Sequence, residues 1–137
     1  MPFVMSLDTP VTTLQRKQMS RILNVTQKVG LRLNGAVNSS DDVRAVQELL
    51  AIAVRDHPIK PAPRPTGTFD AITGFWIFDA QSSLRKQFGG EIVDGVVSPA
   101  QRGRVMYGPG MWIIVFFNAT AMDKSESEWN ALLDKFA

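Results

Sequence analysis

The chain has no cysteine and a single histidine, His57. Disulfides, thiol nucleophiles and cysteine-ligated zinc are therefore excluded, and one imidazole gives little from which to build a metal site. Long apolar runs are missing too. The longest, Met111 to Phe117, is seven residues, against the roughly 20 that a membrane-spanning helix needs. The opening MPFVMSLDTPV lacks a basic n-region and an apolar h-region, so no secretory signal is expected. The expected location is the cytoplasm, a virion, or outside the cell by a non-classical route. Neither sign of charge dominates: 15 basic against 13 acidic residues leave +2, too little to argue for nucleic acid. There is no phosphate-cradling glycine loop, and His57 has no Ser/Asp arrangement around it.

What is present suits one ordinary domain. The 137 residues are 45% apolar, enough for a core and against wholesale disorder. The charges are unevenly placed. Arg16, Lys17, Arg21, Lys28 and Arg32 precede Asp41 with only Asp8 among them, whereas Asp123, Glu126, Glu128 and Asp134 crowd the last stretch against Lys124 and Lys135. Two solvated helix faces account for this. On such a helix Lys17, Arg21 and Lys28 share a side open to phosphate, although phosphate binding normally recruits more charge.

Thr9-Pro10 reads as a helix start, with Val11, Leu14, Ile22, Val25 and Val29 recurring at three- and four-residue steps or their sums up to Gly30. A loop with Asn34-Gly35 follows. Ser40 is placed to cap a second helix, with Asp41 and Asp42 in its positive first turn and Val43, Val46, Leu49, Leu50 and Ala53 on one face. His57 to Pro65 holds four prolines and reads as a stiff connection. Asp70 is placed to cap a third helix carrying Ile72, Trp76, Ala80, Leu84 and Phe88, with Gly89-Gly90 as its stop. Ser98-Pro99 repeats the start signal and predicts a short fourth helix toward Met106. MWIIVFF has the β-branched and aromatic content of a strand, but with no evident partner strand a buried helix is the favoured reading. Ser125 or Ser127 caps a last helix with Trp129, Leu132, Leu133 and Phe136. The expected fold is mainly α: a compact helical bundle in one domain, with an N-terminal helix and loop (1–40), a core (41–106) and a C-terminal apolar segment and helix (107–137). The five-residue segments Leu33–Val37 and Val93–Val97 echo each other faintly.

The stretch from Asp41 to Gln101 carries a spaced pattern. Val43, Val46, Gln47 and Leu50 form one helical signature, and Gly67 and Phe69 close the following loop. Thr73 and, eight residues on, Gln81 mark the next helix, and Asp94, Gly95 and Val97 lead out of it. In order and spacing this resembles the peptidoglycan-binding-like domain, a small three-helix module attached to many bacterial wall hydrolases. The resemblance spans about 60 of the 137 residues. It departs from the family pattern at Asp70, Trp76, Ala80 and Gln101.

Each matching residue has a structural job available. Gly95 permits a positive φ, Phe69 can plug a helix junction, Thr73 can bond nearby backbone and Gln81 can bind loop backbone. The resemblance implies a non-catalytic module that binds peptidoglycan or another envelope polymer, without cofactor or metal, with Thr73, Trp76, Gln81, Asp94 and Gly95 as candidate ligand contacts. A structural or assembly part of a phage or phage-tail-like particle, meeting other particle proteins, is the alternative. Trp76 with Phe75 suits either a sugar-stacking surface or the core, the core being favoured at this spacing. Asp70, Glu91 and Asp94 are the candidates for paired catalytic carboxylates, but a cap and a turn account for Asp70 and Asp94, and no enzyme is expected.

Overall fold

In the computed structural model, which describes all 137 residues, the chain opens with strands where a helix was expected. β1 (Phe3–Thr12) and β2 (Gln18–Asn24) form an antiparallel hairpin, with Phe3 opposite Asn24 and Thr12 opposite Gln18. Pro10 lies where the register shifts between Ser6 and Val11. An irregularity needs no ladder N–H from it, so the proline that fits a helix start fits here equally well. The tight turn is closed at Arg16, whose φ of 62° is left-handed.

A two-residue β3 (Val29–Gly30) and a single 3-10 turn (Arg32–Asn34) lead to α1 (Ser40–Ala53). α2 (Ala71–Phe88) follows the proline-rich loop, and β4 (Val96–Val97) pairs antiparallel with β3. α3 (Ile113–Lys124) and α4 (Glu126–Asp134) complete the chain. Four helices and two small antiparallel sheets make a mixed α/β fold, which corrects the mainly helical bundle.

The fourth helix expected after Ser98-Pro99 is absent as well. Asn24 is the reason: its carboxamide donates to the Ala100 carbonyl at 2.8 Å and accepts from the Ala100 N–H at 3.1 Å. An Ala100 carbonyl so engaged is not free for the N–H four residues on, and the left-handed Arg102 and Gly103 (φ 57° and 71°) end any helical path.

The helices after Ser40 follow the local signals. The cap expected of Ser40 is not made: Ser40 is the first residue of α1, and Ser39, which precedes it, gives no side-chain cap bond. Asp70 Oδ1 accepts from Thr73 N at 2.9 Å to cap α2, Gly89 ends it, and Ser125 caps α4. α3, built from the ambiguous MWIIVFF, packs on α1, β2 and α4 and is buried on several sides, which is why its composition lacks a polar face. One core unites Ile22, Leu23, Val46, Leu49, Ile77, Ile114, Phe117 and Leu133.

The two charge clusters meet in space instead of facing solvent apart. Lys17 pairs with Glu126 at 3.7 Å, and Arg21 with Asp134 at 3.5 Å while also donating to Asn130 Oδ1. The hairpin thus lies against α4, and the shared helical face of Lys17, Arg21 and Lys28 does not exist. Buried carboxamides fasten the rest. Asn118 of α3 accepts from Leu23 N–H at 2.8 Å and donates to Leu23 C=O at 2.9 Å, taking up the edge of β2 that β1 leaves free. Trp129 Nε1 also donates to Asn118 Oδ1.

Candidate functional site

The five candidate residues separate into two groups. Thr73 is wholly buried and bonds Asp70 and Gln47. Trp76 is 4% exposed, donates its indole N–H to Pro61 C=O at 2.8 Å and meets His57 edge-on at 4.7 Å. It anchors the proline-rich loop to α2 and offers no face to a sugar. His57 itself is exposed, and its Nδ1 accepts from Ile59 and Lys60 N–H.

Gln81, Asp94 and Gly95 form one cluster. Gln81 Oε1 accepts from Gly95 N–H at 2.9 Å, and its Nε2 donates to Val96 C=O at 3.1 Å and to Asp94 Oδ1 at 3.0 Å. Asp94 Oδ1 also accepts from Val96 N–H at 3.0 Å, closing the turn. Gly95, at φ 71°, favours glycine: an added Cβ would lie 2.8 Å from the Leu31 side chain on strained backbone.

Gln81 and Asp94 form part of the wall of a surface cleft of about 380 Å³. Lys28 contributes from the β2–β3 turn, Glu91 and Gln101 from the segment after α2, and Tyr107 and Trp112 from the approach to α3. Glu91 is 4% exposed. Its Oε1 accepts from the Tyr107 hydroxyl at 2.8 Å and its Oε2 from Met111 N–H at 3.0 Å. The Tyr107 oxygen in turn accepts from Ile92 N–H at 2.9 Å. Burial first, and the neighbouring Glu91 second to the opposing Ile92 bond, raise the Tyr107 pKa above its ordinary 10. Gly110 makes room, since a Cβ there would stand 2.4 Å from Tyr107 Oη and 2.7 Å from Glu91 Oε2. The Tyr107 and Trp112 rings lie 4.9 Å apart at 53°. Trp112 Nε1 is the one buried side-chain polar atom without a partner.

Of the three carboxylates considered for catalysis, Glu91 and Asp94 share this cleft, whereas Asp70 borders a separate apolar groove of about 450 Å³ with Leu31, Phe69, Phe78 and Gly95. Nowhere do three His, Asp or Glu side chains gather in a way that could hold a metal ion. No helix is long and apolar enough to cross a membrane. Sequence reasoning missed Lys28, which it set on a helix that does not form. It also passed over Tyr107 and Trp112, read only as a turn and the start of an apolar run. The signal available was the Tyr-Gly-Pro-Gly turn, which sets one aromatic residue back against the next. No family model matches the chain, and neither the curated proteins nor the solved structures give a match.

Proposed function

We propose that this protein is a non-catalytic module that binds peptidoglycan or another cell-envelope polymer through the cleft between Gln81, Glu91 and Trp112. The observation that carries this reading is that the motif residues Gln81 and Asp94 form part of the cleft wall beside an aromatic pair and a buried carboxylate. Recognition clefts combine apolar and aromatic walls with a few fixed polar groups, and Gln81 fixes Asp94 through the turn that both residues hold. The carboxylates are engaged as acceptors of structural hydrogen bonds, which suits a binding role better than proton transfer. Co-sedimentation with purified bacterial sacculi at low salt tests the reading. Retention that falls on Trp112→Ala, with folding checked in parallel, is expected; no retention while a known wall binder sediments overturns it.

A second reading, a part of a phage or tail-like particle, draws on the apolar groove. Leu31 and Phe78 are exposed beside Phe69 at its edge, and exposed apolar surface of this kind marks protein contacts. Light scattering after size exclusion separates the two: self-association or binding to a particle component favours assembly, and a strict monomer without such binding argues against it.

A further inference from the structure

We infer that the cleft recognises a zwitterionic group, an ammonium and a carboxylate carried close together as at the end of a free peptide. This rests on the use of the cleft proposed above and names the part of the ligand it would hold. The argument is one of uncompensated charge. Asp56, Glu126, Glu128 and Asp134 each have a cationic side-chain partner, and Asp8 and Asp79, which have none, are exposed to solvent. Glu91 and Asp94 have none, although both line a concavity where a charge is less well solvated. Asp42 and Glu91 are both buried with both oxygens engaged by protein donors, Thr26 and Gln27 for the one and Tyr107 and Met111 for the other, so the open acceptor is Asp94. Asp94 uses only Oδ1 within the protein and keeps Oδ2 for a donor from outside.

The opposite charge is present in the same cleft and is also unspent. Lys28 is exposed, makes no ion pair and borders the cleft from the β2–β3 turn. Trp112 lines the same cleft with its indole N–H buried and partnerless, which makes it a reporter of events there. A ligand of a single charge would satisfy one set and leave the other. An ammonium at Asp94 Oδ2, with a carboxylate toward Lys28, satisfies both.

The test uses alanyl-alanine, its N-acetylated form and its C-terminal amide, titrated into the folded protein at low salt. Binding is followed through the indole N–H resonance of Trp112, assigned with Trp112→Phe. Dialanine is expected to shift that resonance saturably, and each blocked peptide to bind about five-fold more weakly, the size of one partly exposed ion pair. Lys28→Met, an exposed substitution, should bring dialanine and its amide to equal affinity while preserving the preference for a free ammonium. Asp94→Asn, which still offers Gln81 an acceptor, should narrow the preference for the free ammonium over the N-acetylated form. Equal binding of all three peptides, no saturable shift with dialanine, or discrimination unchanged in both variants overturns the inference. Sacculus retention without dialanine binding would leave the envelope reading standing and remove this one; dialanine binding without sacculus retention would do the reverse.

Discussion

Gln47 of α1 and Gln81 of α2 stand in the same relation to the turns that follow their helices. Gln47 Oε1 accepts from Gly67 N–H at 2.9 Å and its Nε2 donates to Thr68 C=O at 2.9 Å; Gln81 does the same to Gly95 and Val96. Both glycines are left-handed, at φ 82° and 71°. The chain therefore contains one construction twice: a helix, a loop, and a glycine turn drawn back onto the helix by a buried carboxamide. This repeat is more persuasive than the faint echo of Leu33–Val37 in Val93–Val97, whose two segments are spatial neighbours, with Asn34 donating to Asp94 C=O.

Removing either carboxamide strands a buried glycine N–H, and removing that of Gln81 also strands the buried Val96 C=O. Gln47→Ala and Gln81→Ala should each lower stability by about 2–4 kcal/mol, the cost of leaving such groups unpaired. Urea denaturation measures this, and a loss below about 1 kcal/mol in both would show that water substitutes for the clamp.

Trp76 is expected to behave as a core residue. Trp76→Ala should cost about 3–5 kcal/mol. Trp76→Phe retains most of the packing and loses the bond to Pro61, costing about 1 kcal/mol and loosening residues 57–65 selectively. Hydrogen exchange of Ile59 and Lys60 reports that loosening; unchanged exchange there would show that the prolines alone hold the loop.

Gly30 is the least replaceable glycine. At φ 144° an added Cβ would sit 2.1 Å from Gly95 C=O, with backbone on both sides of the contact. Gly30→Ala should therefore cost on the order of 4 kcal/mol by forcing β3 from β4. Gly89→Ala is the control: its φ is 79° but nothing lies within 4 Å, so the penalty should be about 1–2 kcal/mol of backbone strain alone. Thermal melts of the two variants should differ clearly.

Tyr107 is the only tyrosine, so its titration can be followed by phenolate absorbance. Burial raises its folded pKa above 10. The neutral phenol thus contributes stability that is fully present below pH 10 and is lost as pH rises through the folded value. Unfolding the protein should move the midpoint down to the ordinary value, and Glu91→Gln should lower it part of the way. A native midpoint at or below 10 would contradict the half-buried placement beside Glu91.

The parts legible in the sequence are those set by short-range chemistry. The Asp70 cap bonds three residues ahead, Gly89 stops α2, Ser125 starts α4, and the apolar faces of α1 and α2 repeat at helical spacing. The errors lie where distant residues decide. Val11, Ile22, Val25 and Val29 fit helical steps, yet Asn118, on a helix far along the chain, takes up the backbone at Leu23 and favours a strand there. Ser98-Pro99 is a sound start signal that Asn24 cancels by capturing Ala100. In the cleft, Gln81 and Asp94 were legible through their spacing, whereas Lys28 and Trp112 join them only through tertiary folding.

The carboxamide fastening of the hairpin has a consequence for how the protein is made. Leu23 and Asn118 are 95 positions apart, and Asn24 and Ala100 are 76 apart. Contacts of such separation slow folding because the loop must close before they form. During synthesis the N-terminal ribbon leaves the ribosome long before α3 exists, with Met19, Ile22 and Leu23 uncovered and one edge of β2 unbonded. An isolated hairpin is marginal in water, so a segment synthesised well before α3 is among the last to be locked in place, and a nascent chain stopped before Asn118 would display an open strand to its neighbours.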